Sequence, residues 1–314
     1  MPTPHPRILV VGAGATGGYF GARLLAAHRN VTFLVRPKRA AQLAANGLEV
    51  KSVFGDLNLP SPPTVTANEL RTPYDVILLS CKAQDLDDAM TSFAPAVGPQ
   101  TTILPLLNGM RHLDALDARF GREHVLGGQC VISAVRDPEG RILHLNDLHG
   151  LTFGERDRTN SVRIQSVAEA FTNAGFDGHL SNDIVQDMWN KWVLIATGAG
   201  MTCLMRAAIG DIVAANGAHL TLRLLDECAA IAQREGQPLP PQALDRIQQT
   251  LTAPGSTMTA SMLRDVESHF PTEADHILGD LLNRGNHHGL ASPMLEIAYT
   301  HLKSYEARRR REPA

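Results

Sequence analysis

The stretch Ile8-Leu9-Val10-Val11-Gly12-Ala13-Gly14-Ala15-Thr16-Gly17-Gly18 constrains this chain more than any other. Its first four residues are apolar and partly β-branched, as in a strand covered on both faces. Glycines at GxGxxG spacing follow, and Tyr19 to Ala27 reads as a helix. Each glycine has a separate task. Gly12 permits the tight turn, Gly14 lets a pyrophosphate approach the backbone, and Gly17 lets helix and strand pack closely. The phosphates would rest on the helix N-terminus, whose free N–H groups and dipole favour anions. GxGxxG alone is a weak signal, but a preceding strand and a following helix are the context a dinucleotide site requires. The expected cradle is Gly12, Ala13, Gly14, Ala15, Thr16 and Gly17.

The next strand, Val31-Thr32-Phe33-Leu34-Val35, ends at Arg36. NAD-binding chains usually carry Asp or Glu about 20 residues after the glycines, where it accepts from the ribose 2′-hydroxyl. Arg36 reverses that charge, with Lys38 and Arg39 close behind. A guanidinium suits a 2′-phosphate and offers nothing to a hydroxyl that needs an acceptor, so the expected cofactor is NADP (NADPH). Two further strands end in Cys81-Lys82-Ala83 and Asn108-Gly109-Met110. Ligands of doubly wound sheets bind outside the carboxyl ends of the strands, which makes Lys82 and Asn108 cofactor candidates. Segments 125–135 and 141–153 read as extended, joined by the turn Asp137-Pro138-Glu139-Gly140, and are expected to complete the sheet as a hairpin.

From Asp183 onward the pattern is helical, with breaks expected at Gly210, Gly236-Gln237-Pro238, Pro254-Gly255, Pro271 and Gly285. The expected fold class is therefore α/β: a Rossmann-like doubly wound domain over 1–181, then an all-helical domain over 182–314. The first long helix contains MWNKWVLIATGA, residues 188–199, with Lys191 between the chain's two tryptophans. At helical spacing the face of Lys191 continues through Leu194, Ile195, Gly198 and Ala199, and the opposite face is equally apolar. Spacing alone leaves two readings open. Lys191 snorkels its amine to water, or it sits in a desolvated cleft, where a lysine loses its charge more readily and can donate a proton.

A length of 314 residues suits two domains, and a net charge of -3 gives no basic field for nucleic acid. The run Arg308-Arg309-Arg310-Arg311 reads as a solvated helix end. Cys81, Cys130, Cys203 and Cys228 form no CxxC pair, as expected of reduced thiols. There is no signal-peptide pattern and no bilayer-spanning run, so the expectation is a cytoplasmic protein without a membrane partner. No metal motif is present, and no metal is expected. His287-His288 reads as surface, His144 and His149 as structural, and Met258, Met262 and Met294 as core or cleft lining.

Taken in order, GAGATGG at 12–18, LVR at 34–36, SCKAQD at 80–85, LNGM at 107–110, WNKW at 189–192, SMLRD at 261–265 and TEAD at 272–275 resemble the ketopantoate reductase (2-dehydropantoate 2-reductase) family nearly end to end. The resemblance implies NADPH-dependent reduction of a small 2-keto acid to a 2-hydroxy acid, in a cleft between the two domains. It makes Lys191 the catalytic lysine, Lys82 and Asn108 cleft residues, and Ser261 a substrate-holding serine. It places Glu273 near the nicotinamide ribose and the substrate. Members of the family carry asparagines four and eight positions after the lysine, where this chain has Ile195 and Ala199. That departure bears on the substrate and points to an oxo acid less polar than ketopantoate. A non-catalytic NADP sensor is the reading from another class, and the joint presence of Lys191, Ser261 and Glu273 argues against it. Monomer and homodimer are both compatible with the sequence.

Overall fold

The computed structural model describes residues 6–312. The chain forms two compact units, one taking in the chain up to Leu107 and His112–Val185, the other Asn108–Arg111 and the chain from Gln186 onward. The first runs β1 (Ile8–Val11), α1 (Ala15–Ala26), β2 (Val31–Leu34), α2 (Pro37–Asn46), β3 (Leu48–Lys51), β4 (Leu57–Leu59), β5 (Thr64–Val65), β6 (Val76–Leu79), α3 (Leu86–Phe93) and β7 (Thr102–Pro105). It continues through α4 (Arg111–Phe120, whose first residue belongs to the second unit), β8 (Gly127–Arg136), β9 (Ile142–Gly154), α5 (Val162–Phe171) and β10 (Asp177–Leu180).

A parallel sheet of order β5-β2-β1-β6-β7 is the frame of this unit. Strands β1, β6 and β7 are buried at every residue, which is why they read as unbroken apolar runs. The chain winds from β1 to one side through β2 and β5, then crosses back to β6 and β7. The switch point therefore lies beside β1. Val11 pairs with Leu34 on one side and Leu79 on the other, so Gly12, Val35 and Ser80 all leave the sheet at the same carboxyl edge.

The hairpin expected over 125–153 does form, with β8 antiparallel to β9 and a register shift between Ile132 and Ala134. It does not complete the parallel sheet. It belongs to a second sheet, β10-β9-β3-β4, in which β8 pairs with β9. Contact with the first sheet is a bridge between Ile103 and Val125, where Leu126 N–H donates to the Ile103 carbonyl. The cause lies in β7. Residues 102 and 106 donate toward the β6 side, which turns residue 105 to the free edge, and a proline there has no N–H to give.

The second unit is helical: α6 (Ile184–Met205, which crosses the division between units), α7 (Ile209–Ala214), α8 (Ala218–Arg234), α9 (Pro241–Leu251), α10 (Ser261–Glu267), a π-helical turn Asp275–Gly279, α11 (Asp280–His287) and α12 (Pro293–Arg311). Trp192, Val193 and Ala196 of α6 are buried, as are Leu224, Leu225 and Cys228 of α8 and Leu295 and Leu302 of α12. Two expected breaks are absent, since Gly210 lies within α7 and Gly285 within α11. Both glycines serve close approach: a Cβ would meet the Ser256 backbone at 2.5 Å and the Ile231 side chain at 2.9 Å. Met258 is exposed, so it lines no core. All four cysteines are free, and burial pushes the Cys203 and Cys228 thiols up to about 12. Among the described residues no helix is long and apolar enough to cross a membrane.

Candidate active site

At the carboxyl edge of the parallel sheet, Gly12 turns with φ +95°, a conformation that side chains resist. A Cβ on Gly17 would fall 2.3 Å from the Gly12 carbonyl oxygen and 2.1 Å from Ser80 Oγ, so α1 approaches the strand ends only because residue 17 is glycine. Ser80 Oγ–H donates to the Val11 carbonyl at 2.9 Å and holds the turn from the β6 side. Helix α1 begins at Ala15 after Gly14, with no side-chain cap and no acidic residue in its first turn. Around Gly14 there is open space, with nothing within 4 Å of where a Cβ would stand. An uncapped, uncharged helix N-terminus beneath a bare backbone fits a dinucleotide's pyrophosphate. Ala13 is buried, while Ala15 and Thr16 are half-buried in the first turn.

The three cations after β2 diverge. Arg39 turns inward: its Nε–H donates to the Ala13 carbonyl at 3.1 Å and an NH2 hydrogen to the Gly140 carbonyl at 3.0 Å. Burial lowers its pKa to about 10. Arg39 thereby fixes the glycine turn from below, a role the sequence did not reveal. Lys38 is exposed. Arg36 stands before α2 with its side chain 72% exposed, 2.8 Å from Asp85 and 3.8 Å from Asp88. The hydrogen bond to Asp85 raises its pKa further. Lys82 is exposed and extended, and it leads into the short turn Ala83–Asp85.

In the second unit Lys191 is half-buried, while its neighbours Trp189 and Trp192 are buried. The helix is thus sunk on its tryptophan side and more open on the lysine side. Trp192 Nε1–H donates to the Ile277 carbonyl at 2.9 Å, in the π-helical turn. That turn begins two residues after Glu273, whose carbonyl accepts from His276 and Ile277 N–H at 3.1 and 3.0 Å. The His276 side chain hydrogen-bonds the Asn108 backbone. Gly109 has φ +75°, and a Cβ on it would lie 2.9 Å from the His276 carbonyl oxygen. The glycine of LNGM is therefore needed because the loop lies directly on this turn. Burial, then the charge of Arg111, lowers the His276 pKa to about 4.

The segments bearing Asn108, Lys191 and Glu273 are thus tied to a single turn, and helix α12 clamps it. Asp275 accepts from Tyr299 Oη–H at 2.6 Å and from Lys303 at 2.8 Å, and Thr272 Oγ–H donates to Glu306. π-Turns recur at functional sites. Ser261 opens α10 and is exposed; the preceding Ala260 N–H reaches Thr202 Oγ at 3.4 Å, three turns beyond Lys191 on α6. Ile195 is half-buried, and Ala199 is buried.

His276 and Trp192 had no role assigned from sequence, since what joins them to Asn108 and Glu273 is contact across long separations. A glycine directly after an asparagine at a strand end was the one local signal. His144 and His149 are buried in the first unit. His149 Nδ1 lies 2.8 Å from Tyr19 Oη and its ring stacks on Phe54 at 3.7 Å, while His144 Nδ1 lies 2.9 Å from Ser52 Oγ. Their surroundings are those of packing residues. His287 and His288 are exposed, with His288 2.7 Å from Glu235.

Comparison with known proteins bears on the same two units. The chain is 37% identical over 302 residues to the uncharacterized oxidoreductase YkpB of Bacillus subtilis (strain 168), covering 96% of this chain and 99% of that one. A crystal structure of 2-dehydropantoate 2-reductase from Geobacter metallireducens GS-15 superposes with a TM-score of 0.86 at 30% identity, covering 95% of this chain and 99% of that one. The ternary structure of a D-mandelate dehydrogenase with NADH and anilino(oxo)acetate shares the fold, with a TM-score of 0.87 at 20% identity, covering 97% of this chain and 99% of that one. Residues 8–158 match the family described as ketopantoate reductase PanE/ApbA, and residues 183–306 match its C-terminal part. The chain belongs to the ketopantoate reductase PanE/ApbA family of oxidoreductases.

Proposed function

We propose that the chain catalyses the NADPH-dependent reduction of a 2-keto acid to a 2-hydroxy acid, with Lys191 as proton donor. The observation that carries this reading is the anchoring of the Asn108, Lys191 and Glu273 segments on the turn Asp275–Gly279. An amide and a primary amine can donate to a keto acid's oxygens and protonate the one that becomes the hydroxyl, and a carboxylate can accept from the hydroxyls of a nicotinamide ribose. The Gly12–Gly17 turn and the α1 N-terminus would hold the pyrophosphate, Arg36 the 2′-phosphate, and Lys82 and Asn108 further parts of the cofactor. When bound, the reduced nicotinamide supplies a hydride to the keto carbon. Lys191 meets the charge developing on the keto oxygen and gives it a proton. Asn108 and Ser261 orient the acid, and Glu273 holds the nicotinamide ribose and the substrate in register.

Ile195 and Ala199 follow Lys191 by one and two turns, and neither side chain can hydrogen-bond a hydroxyl. A substrate hydroxyl brought there unpaired loses about 1–3 kcal/mol. The preferred substrate is therefore an acid with an alkyl or aromatic side chain rather than ketopantoate. The structure of D-mandelate dehydrogenase with anilino(oxo)acetate is an aromatic case on the same fold.

The test is loss of reduced-nicotinamide absorbance when NADPH is offered with a panel of 2-keto acids, ketopantoate among them. Turnover with at least one less polar acid, faster than with ketopantoate, is expected. Tight NADPH binding with no turnover on any acid would leave a sensor in place of an enzyme.

A further inference from the structure

The parallel sheet puts β1 between β2 and β6. Arg36 follows β2 and Asp85 follows β6, on strands two places apart, a separation of roughly 10 Å. Yet Arg36 and Asp85 meet at 2.8 Å. Their ion pair therefore joins the segments that leave the carboxyl ends of β2 and β6, the two strands that flank β1. We propose that Asp85, backed by Asp88, is a specificity-determining residue that competes with a dinucleotide's 2′-phosphate for Arg36 and so narrows the preference for NADPH over NADH. The inference rests on the dinucleotide reading given above.

The charges support it. Arg36 carries one positive charge and faces two carboxylates, Asp85 at 2.8 Å and Asp88 at 3.8 Å. A 2′-phosphate seated on the same guanidinium must either displace Asp85 or stand beside it as a like charge. Displacement is feasible, because both partners are partly exposed, at 72% and 40%, and exposed ion pairs are weak. Repulsion between a phosphate and a carboxylate several ångströms away in a water-like dielectric is worth about three- to tenfold in affinity at low salt, and less as salt is added. NADH brings a 2′-hydroxyl instead. It carries no charge for the carboxylates to repel, and Asp85 provides the acceptor that Arg36 cannot.

Isothermal titration of NADPH and NADH into the full chain tests this, comparing the unmodified protein with Asp85→Asn and Arg36→Ala at low and at physiological ionic strength. The amide is isosteric with the carboxylate, removes its charge and keeps one acceptor oxygen for Arg36, and a thermal melt without ligand checks that the fold is kept. Asp85→Asn is expected to tighten NADPH about three- to tenfold at low salt, with NADH moved less than twofold. The gain should shrink as salt rises, and Arg36→Ala should lose NADPH affinity and leave NADH nearly unchanged. If Asp85→Asn leaves the ratio of the two dissociation constants unmoved, or weakens NADPH, Asp85 is at most an orienting partner of Arg36 and the inference is overturned. If neither dinucleotide binds the unmodified chain, the dinucleotide reading falls and takes the inference with it.

Discussion

Replacing Trp192 with phenylalanine tests whether the turn Asp275–Gly279 is held from α6. Trp192 and Ile277 are both buried, and the indole N–H donates to the Ile277 carbonyl at 2.9 Å. Phenylalanine removes the donor and leaves the carbonyl buried, which costs about 1–3 kcal/mol. Loss of the second ring leaves a void, adding roughly 1–2 kcal/mol as part of the Trp→Ala range. Trp189→Phe is the control: that ring lies 4.7 Å from the Trp192 ring, is equally buried, and gives no bond to Ile277. Urea unfolding followed by circular dichroism should show Trp192→Phe less stable than Trp189→Phe by about 1–3 kcal/mol, the hydrogen-bond part alone. Because the turn follows Glu273, kcat should fall further in Trp192→Phe than in the control, with NADPH affinity kept in both. Equal stability and equal turnover in the two variants would refute the idea that this bond fixes the turn.

Lys191→Ala should lower kcat by about 10²–10⁴-fold, the usual worth of a positioned proton donor, and leave the NADPH dissociation constant within a factor of two; near-normal turnover would make the lysine a packing residue. His276 has its pKa lowered from 6.5 to about 4, so the unfolded chain binds more protons than the folded chain between those values. Stability from keeping this ring neutral is complete above pH 6.5 and is lost as pH falls toward 4, and His276→Gln should flatten that part of the urea-midpoint profile. Ile195→Asn should move the ratio of kcat/KM values toward ketopantoate by roughly tenfold or more, since it returns a partner to a hydroxyl otherwise short by 1–3 kcal/mol. A ratio unchanged in that variant would mean that residue 195 does not face the substrate side chain.

What was legible in the sequence follows the range of the interactions. The strand, glycine turn and helix at 8–26 are largely local, and the structure has them in that order, with the helix starting at Ala15, four residues before the expected Tyr19. The parallel sheet and the helical second half were legible for the same reason, through apolar runs and helical periodicity. The hairpin at 127–154 was legible as a hairpin but not as part of a second sheet, because sheet membership depends on which edge can accept a strand. Gly210 and Gly285 looked like breaks because sequence cannot tell a glycine that ends a helix from one that admits a neighbour's backbone or side chain. The bonds that shape the candidate site join residues 49 positions apart for Arg36 and Asp85, and 85 for Trp192 and Ile277. No spacing rule connects such pairs, since only the fold decides which loop ends at which edge. The candidate site residues can therefore be named one at a time from motifs, while the residues that contact them or their segments, Arg39, Asp85, Trp192 and His276, emerge only with the fold. A motif names the group that touches a ligand. How strongly that group prefers one ligand to another depends on a partner from a different stretch of chain, as Asp85 is to Arg36.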